Sequence, residues 1–167
     1  MRAMTEKNLL DAFAGESQAH VKYLVFSEMA EKEGFANVAR LFKAISHAEF
    51  VHARNHLKEL AGVKDSSHNL QEAIDGENFE VGEMYAAYFA VAALQDEKGA
   101  MRSTRYASEA EKIHASMYES AKAKVDGGQD ISLGVVQICE ICGHTVEGDA
   151  PDACPVCGVP SSKFTAF

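Results

Sequence analysis

Between Thr5 and Val125 the sequence contains no proline, and its apolar residues recur at spacings of three and four. Such a stretch reads as helix throughout, because proline ends helices and the spacing follows the 3.6-residue turn. Glycines divide it. Gly34, Gly62, the Asp75-Gly76 pair and Gly99 each stand where a helix end or a turn favours a residue tolerant of positive φ. The pattern predicts helices near 5–33, 36–61, 78–98 and 100–124. Short turns after the first and third make antiparallel neighbours. The polar stretch from Gly62 to Glu77, with Ser66-Ser67, is long enough to run back along the bundle.

Two helix hairpins joined by one long crossover between the second and third helices give an all-α, four-helix, ferritin-like bundle. After it the reading changes. Asp126-Gly127-Gly128-Gln129-Asp130 breaks the periodicity, and from about Val135 come all three prolines (Pro151, Pro155, Pro160) among β-branched residues and glycines. The expected organisation is a bundle over 1–126, a linker over 127–134 and a small β/loop module over 135–167. That module is too short for a hydrophobic core of its own and needs a metal or disulfides. Its four cysteines form two C-x-x-C-G knuckles, Cys139 with Cys142 and Cys154 with Cys157, eleven residues apart. Two facing knuckles build a tetrahedral tetrathiolate. Zinc and iron both suit it, and spacing does not choose between them.

Charge narrows the function. With 16 Lys+Arg against 25 Asp+Glu, the net charge of −9 repels phosphate backbones, so nucleic-acid partners are not expected. The longest apolar run, Met84 to Leu94, is well short of the ~20 residues that span a bilayer. The N-terminus has no apolar segment of the secretory kind. A reducing cytoplasm is the expected compartment, and there C-x-x-C pairs bind metal before they form disulfides.

What occupies the apolar stripes of the bundle points to chemistry. On the second helix the stripe runs Val38, Leu41 or Phe42, Ile45, then Glu49, His52 and His56. The first gives Leu9, Phe13, Glu16, His20 and Tyr23. The fourth gives Ala107, Glu111, His114 and Tyr118, and the third offers Glu80 and Glu83. Residues three apart on a helix project from nearly one face, so Glu49/His52, Glu80/Glu83 and Glu111/His114 can each aim two donors at one point. Buried together, five carboxylates demand cations. Two Glu-x-x-His motifs plus inward Glu on the other two helices is the di-iron carboxylate pattern. Two divalent ions would leave one negative charge on the five carboxylates, and two trivalent ions one positive. Mixed imidazole and carboxylate donors suit iron or manganese better than calcium. Glu49 and Glu111 are the natural bridges, and His52 and His114 terminal ligands. His20 and His56 fit a further-shell or water-facing role. His47, His68 and His144 read as surface.

These residues resemble the rubrerythrin family across nearly the whole chain. The resemblance rests on NLLDAFAGESQA around Glu16, AEFVHAR with Glu49 and His52, EVGEMY with Glu80 and Glu83, EKIH with Glu111 and His114, and CEICG through CPVCG. It implies a di-iron site of Glu16, Glu49, His52, Glu80, Glu83, Glu111 and His114, and a rubredoxin-like mononuclear iron on Cys139, Cys142, Cys154 and Cys157, with zinc as a possible substitute. It implies further that Glu83 and His52 exchange at one iron with redox state, and that Tyr23 and Tyr88 stand near the site. The expected function is a peroxidase that reduces hydrogen peroxide to water. Its electrons would come from rubredoxin or an NAD(P)H-dependent reductase through the tetrathiolate of a head-to-tail homodimer or higher homo-oligomer. The alternatives are a ferroxidase or iron-handling protein, and a zinc-stabilised interaction module on a binding platform.

Overall fold

The computed structural model describes residues 1–167, which divide into two units, 1–64 and 65–167. The first unit is a helical hairpin of α1 (Ala3–Lys32) and α2 (Ala36–Glu59). Small side chains bring the helices together: Ser27 and Ala30 on α1, and Ala39, Ser46 and Ala53 on α2, are buried. Two hydroxyls tie the backbones, Ser27 Oγ donating to the Ala39 carbonyl and Ser46 Oγ to the His20 carbonyl, both at 2.8 Å. The expected core stripe of α2 is not covered. Val38, Leu41 and Ile45 are 44%, 61% and 42% exposed.

In the second unit α3 (Ser66–Phe79), a π-helical turn (Glu80–Met84) and α4 (Tyr85–Leu94) follow one another without a break, and α5 (Lys98–Asp126) packs against them. The long crossover expected over 62–77 is therefore corrected, because residues 66–79 are helix. Asp65 caps that helix, its side chain accepting from the His68 amide at 2.9 Å. Gly76 sits inside the helix at a cost of about 1 kcal/mol relative to alanine. The polar run is the solvent side of a helix. The true connection is Leu60–Asp65, and in it the amides of Leu60, Ala61 and Gly62 are bonded to the last turn of α2.

The two hairpins repeat each other. In each turn three residues bond back to the preceding helix in the same order: Glu33, Gly34 and Phe35 to Met29, Glu31 and Ala30, and Gln95, Asp96 and Glu97 to Val91, Ala93 and Ala92. The middle residue has positive φ in both, Gly34 at 85° and Asp96 at 54°. From the start of α2 to Glu49 and from the start of α5 to Glu111 the separation is the same. From Glu77 to the end of α4, however, the chain is one residue longer than from Glu16 to the end of α1. That interval contains the π turn, whose i→i+5 bonding accommodates one extra residue.

The tail forms a three-stranded antiparallel sheet in the order β2-β1-β3, with β1 Val136–Cys139, β2 Thr145–Glu147 and β3 Phe164–Ala166. Register sets Ile138 opposite both Thr145 and Thr165. This module rests on α5 of its own unit. Tyr106, Val156, Val159 and Phe164 pack around the cysteines, and Arg105 Nη2 donates to the Val156 carbonyl at 3.3 Å. No helix is long and apolar enough to cross a membrane.

Candidate metal centres

Each hairpin gathers one three-donor group. In the first unit Glu16, Glu49 and His52 bring their donor atoms within 4.8 Å of one another. His52 Nδ1 lies 3.1 Å from Glu49 Oε2 and 3.8 Å from Glu16 Oε1. In the second unit Glu77, Glu111 and His114 do the same. His114 Nδ1 lies 2.6 Å from Glu111 Oε2 and 3.8 Å from Glu77 Oε1. The arrangement is the same in both, with a Glu on the leading helix and Glu-x-x-His on the following one, and with Nδ1 as the inward nitrogen.

In the second group the carboxylates crowd one another. Burial, then the charge and hydrogen bond of Glu111, push the Glu77 carboxyl up to about 7. Glu80 is raised by burial and by Glu111, against the opposing effect of His114. Tyr85 is raised by burial and then by Glu80, Glu111 and Glu77. A divalent cation among these groups relieves the repulsion that raises them, so the donor set fits a metal.

Glu16, Glu49, His52, Glu111 and His114 thus stand in the two groups. Glu80 lies in the field of Glu111 and His114 outside the three-donor set. Glu83 is exposed and joins neither group. Tyr23 is half-buried against Phe26 and Phe42. Tyr88 is 54% exposed and meets Tyr85 edge-on at 6.3 Å. Two residues on the donor face were not anticipated, Glu77 and Tyr85. Glu77, Glu80 and Glu83 form an even three-residue series, so spacing alone does not say which two are inward. The π turn settles the phase. A turn closed by i→i+5 bonds winds less per residue than an α turn, which carries Glu83 off the donor face and brings Tyr85 round onto it. His20 is a strut between the hairpin helices, its Nδ1–H donating to the Ser46 carbonyl at 2.9 Å. His144, expected at the surface, is half-buried edge-on to Phe164, and its Nδ1 has no partner.

The four cysteines converge, with Sγ–Sγ separations of 3.6 Å for Cys139–Cys157 and 3.5 Å for Cys142–Cys154. Bonds of about 2.3 Å to a central ion require tetrahedral edges of about 3.8 Å, so the site fits a tetrathiolate ion. The Gly143 amide donates to the Cys139 carbonyl at 2.9 Å and the Gly158 amide to the Cys154 carbonyl at 2.8 Å, closing both knuckles. Burial raises the Cys154 thiol, but the amides of Cys157 and Val156 outweigh it and bring the group down to about 7. A thiolate is thereby favoured at a ligand position.

One hydrogen-bonded path joins this module to the second donor group. Thr145 Oγ1 donates to the Gly143 carbonyl at 3.1 Å and lies 2.8 Å from His114 Nε2. With its single proton directed to Gly143, the hydroxyl accepts from Nε2–H, and Nδ1 is left as the donor nitrogen facing Glu77 and Glu111. A Cβ on Gly143 would lie 3.8 Å from Ala110 Cβ on α5, so the knuckle sits in direct contact with the helix that carries Glu111 and His114.

The family model described as rubrerythrin matches residues 7–122, and that of the rubrerythrin rubredoxin-like domain matches 137–165. The chain belongs to the rubrerythrin family. Among rubrerythrins it is 44% identical to Rubrerythrin-2 of Clostridium acetobutylicum over 179 positions, covering 99% of this chain and 97% of the relative. It is 30% identical to nigerythrin of Nitratidesulfovibrio vulgaris over 177 positions, covering 98% and 86%. Both alignments extend over more positions than the 167 residues of this rubrerythrin, so the relatives carry residues it lacks. A solved structure of fully reduced, all-ferrous nigerythrin matches with a TM-score of 0.57 and 30% identity over 98% of this chain and 86% of that one. The carboxylate–histidine groups and the four-cysteine cluster fit the di-iron and rubredoxin-like sites of that family.

Proposed function

We propose that this rubrerythrin is a cytoplasmic peroxidase that takes hydrogen peroxide, two protons and two electrons to two waters. The observation that carries this reading is the Thr145 hydroxyl bridging the cysteine module to His114. A one-electron tetrathiolate held against a ligand of a di-iron site has an evident task in a reductase and none in iron storage. Glu16, Glu49 and His52 would hold one iron and Glu77, Glu111 and His114, with Glu80 beside them, a second; two such irons in the ferrous state would supply the two electrons that cleaving one O–O bond requires. Glu77 and Glu80 form the family's carboxylate doublet in this reading, in place of Glu80 and Glu83.

The chain's own groups do the remaining work. His52 Nδ1 and His114 Nδ1 each stand beside a glutamate of their own group, and Thr145 orients the His114 ring through Nε2–H. Tyr85, placed beside Glu77 and Glu80 by the π turn, keeps its phenolic proton at neutral pH and can offer it as a hydrogen bond to a departing oxygen. The four cysteines would hold an iron that supplies one-electron chemistry, accepting electrons from a rubredoxin or an NAD(P)H-dependent reductase. Because the module lies on α5, its nearest donor group belongs to the same unit.

Stopped-flow mixing of the anaerobically reduced, iron-loaded protein with one equivalent of peroxide tests this reading. Stoichiometric oxidation within the first turnover, followed by appearance of the ferric tetrathiolate band and its bleaching once external reductant is supplied, is expected. Slow and sub-stoichiometric oxidation, or accumulation of many irons per chain in air, would overturn it in favour of iron handling.

A further inference from the structure

We propose that Thr145 is a positioning residue through which the metal held by the four cysteines sets how tightly the Glu77–Glu111–His114 group holds its own. The inference rests on the di-iron reading above and concerns residues of the second unit alone.

Chain connectivity places the hydroxyl. Thr145 follows Cys142 by three residues, so the first knuckle decides where it lies. The Cys139 amide donates to the His144 carbonyl and the Gly143 amide to the Cys139 carbonyl, both at 2.9 Å, and Gly143 takes a φ of 77° that a side chain would strain. Thr145 then opens β2 opposite Ile138 and is 4% exposed. The strands of this module are too short to hold it by packing alone, so an ion on the cysteines is what keeps the knuckle closed.

On the helix side, Tyr106, Ala110 and His114 follow one another at steps of four along α5 and share a face. Tyr106 packs against the cysteines, Ala110 lies buried beside Gly143, and His114 meets Thr145. The face that seats the cysteine module is thus the face that carries a donor of the second group.

What passes between the two centres is the place of one proton. A neutral imidazole carries its proton on one nitrogen and binds a metal through the other. While the Gly143 carbonyl takes the Thr145 proton, the hydroxyl can only accept from His114, which therefore keeps its proton on Nε2 and leaves Nδ1 for a metal. Opening of the knuckle withdraws that carbonyl, and the hydroxyl is free to turn and donate to Nε2. The imidazole proton then belongs on Nδ1, 2.6 Å from Glu111 Oε2, where one hydrogen bond occupies two of the three donors. The first group has no such selector. His52 Nδ1 faces Glu49 in the same way, but its Nε2 has no partner and its side chain is 54% exposed.

Binding of Mn2+ reads the coupling, because this hard ion leaves the thiolates to zinc. The unaltered chain is titrated with Mn2+, followed by the paramagnetic resonance of the free ion, with one equivalent of zinc on the cysteines or with the cysteines reduced and empty. Removing zinc should weaken one class of bound Mn2+ about tenfold, the scale on which the hydrogen-bond partner of a ligating histidine acts, a loss that excess metal makes good. Thr145→Val should weaken it to the same extent with zinc present, and zinc should then make no further difference. Thr145→Ser, which keeps the hydroxyl, should restore both the affinity and its dependence on zinc. By linkage, saturating Mn2+ should tighten the hold of the cysteines on zinc by the same factor.

Mn2+ bound equally with and without zinc overturns the coupling and leaves the di-iron reading standing. An effect of zinc that survives in Thr145→Val also overturns it, since the path would then lie elsewhere, and so does one that survives in a chain carrying Glu111→Ala and His114→Ala. If even the unaltered chain takes up no Mn2+, the di-iron reading is defeated and the coupling falls with it.

Discussion

Thr145 has one hydroxyl proton, and the Gly143 carbonyl takes it; that fact selects the free nitrogen of His114. Thr145→Val keeps the shape and removes the oxygen. It should leave the visible spectrum of the tetrathiolate unchanged, cost about 1 kcal/mol in denaturant unfolding, and slow the passage of electrons to the bundle when peroxide is pulsed into reduced protein. A second expectation concerns Glu77. Its carboxyl titrates at about 7 when folded against 4.5 as the ordinary value, so between those values the folded, metal-free chain holds a proton that the unfolded chain has released. The contribution of this group to stability is greatest below pH 4.5 and is lost as pH rises through 7. The thermal midpoint of metal-free protein should decline from pH 5 to pH 8, and Glu77→Gln should flatten the decline. Glu49, His52, Glu111 and His114 were legible in the sequence because Glu-x-x-His at helical spacing is a rare pairing, and Glu16 because it falls on the inward stripe of its helix. Glu77 was not, because its three-residue step to Glu80 is indistinguishable from the step onward to Glu83.

The elements explain that ambiguity. Periodicity assumes one pitch, and a π turn changes it without leaving a mark in composition. Deleting Gly82, one of the five residues of that turn, should restore α pitch and rotate Tyr85 away from Glu77 and Glu80. Helix content by circular dichroism should hold while bundle iron falls. The start of α3 was misread for a related reason. A run from Ser66 to Glu77 is polar enough to pass for a loop, and only the Asp65 cap announces a helix. Asp65→Ala should lower stability by about 1 kcal/mol and speed amide exchange in the first turn of α3. The first hairpin turn was plain from Gly34, but in the second the positive φ falls on Asp96 and Gly99, expected at that turn, lies inside α5. The cysteine knuckles were legible down to the residue, since C-x-x-C-G leaves the backbone little choice.

At the scale of the whole molecule the two centres should be separable. Cys142→Ser should abolish turnover fed by an external reductase and leave the single oxidation of chemically reduced bundle iron intact, as followed by rapid mixing. The near-repeat of the hairpins carries a last consequence. One inserted residue gives α3–α4 a π turn, and with it a fourth carboxylate and a phenol that the α1–α2 group does not have. The two donor groups are cousins and no longer twins. Like ions offered to the two groups should differ in affinity and in how readily each is oxidised, so occupancy should proceed in a fixed order.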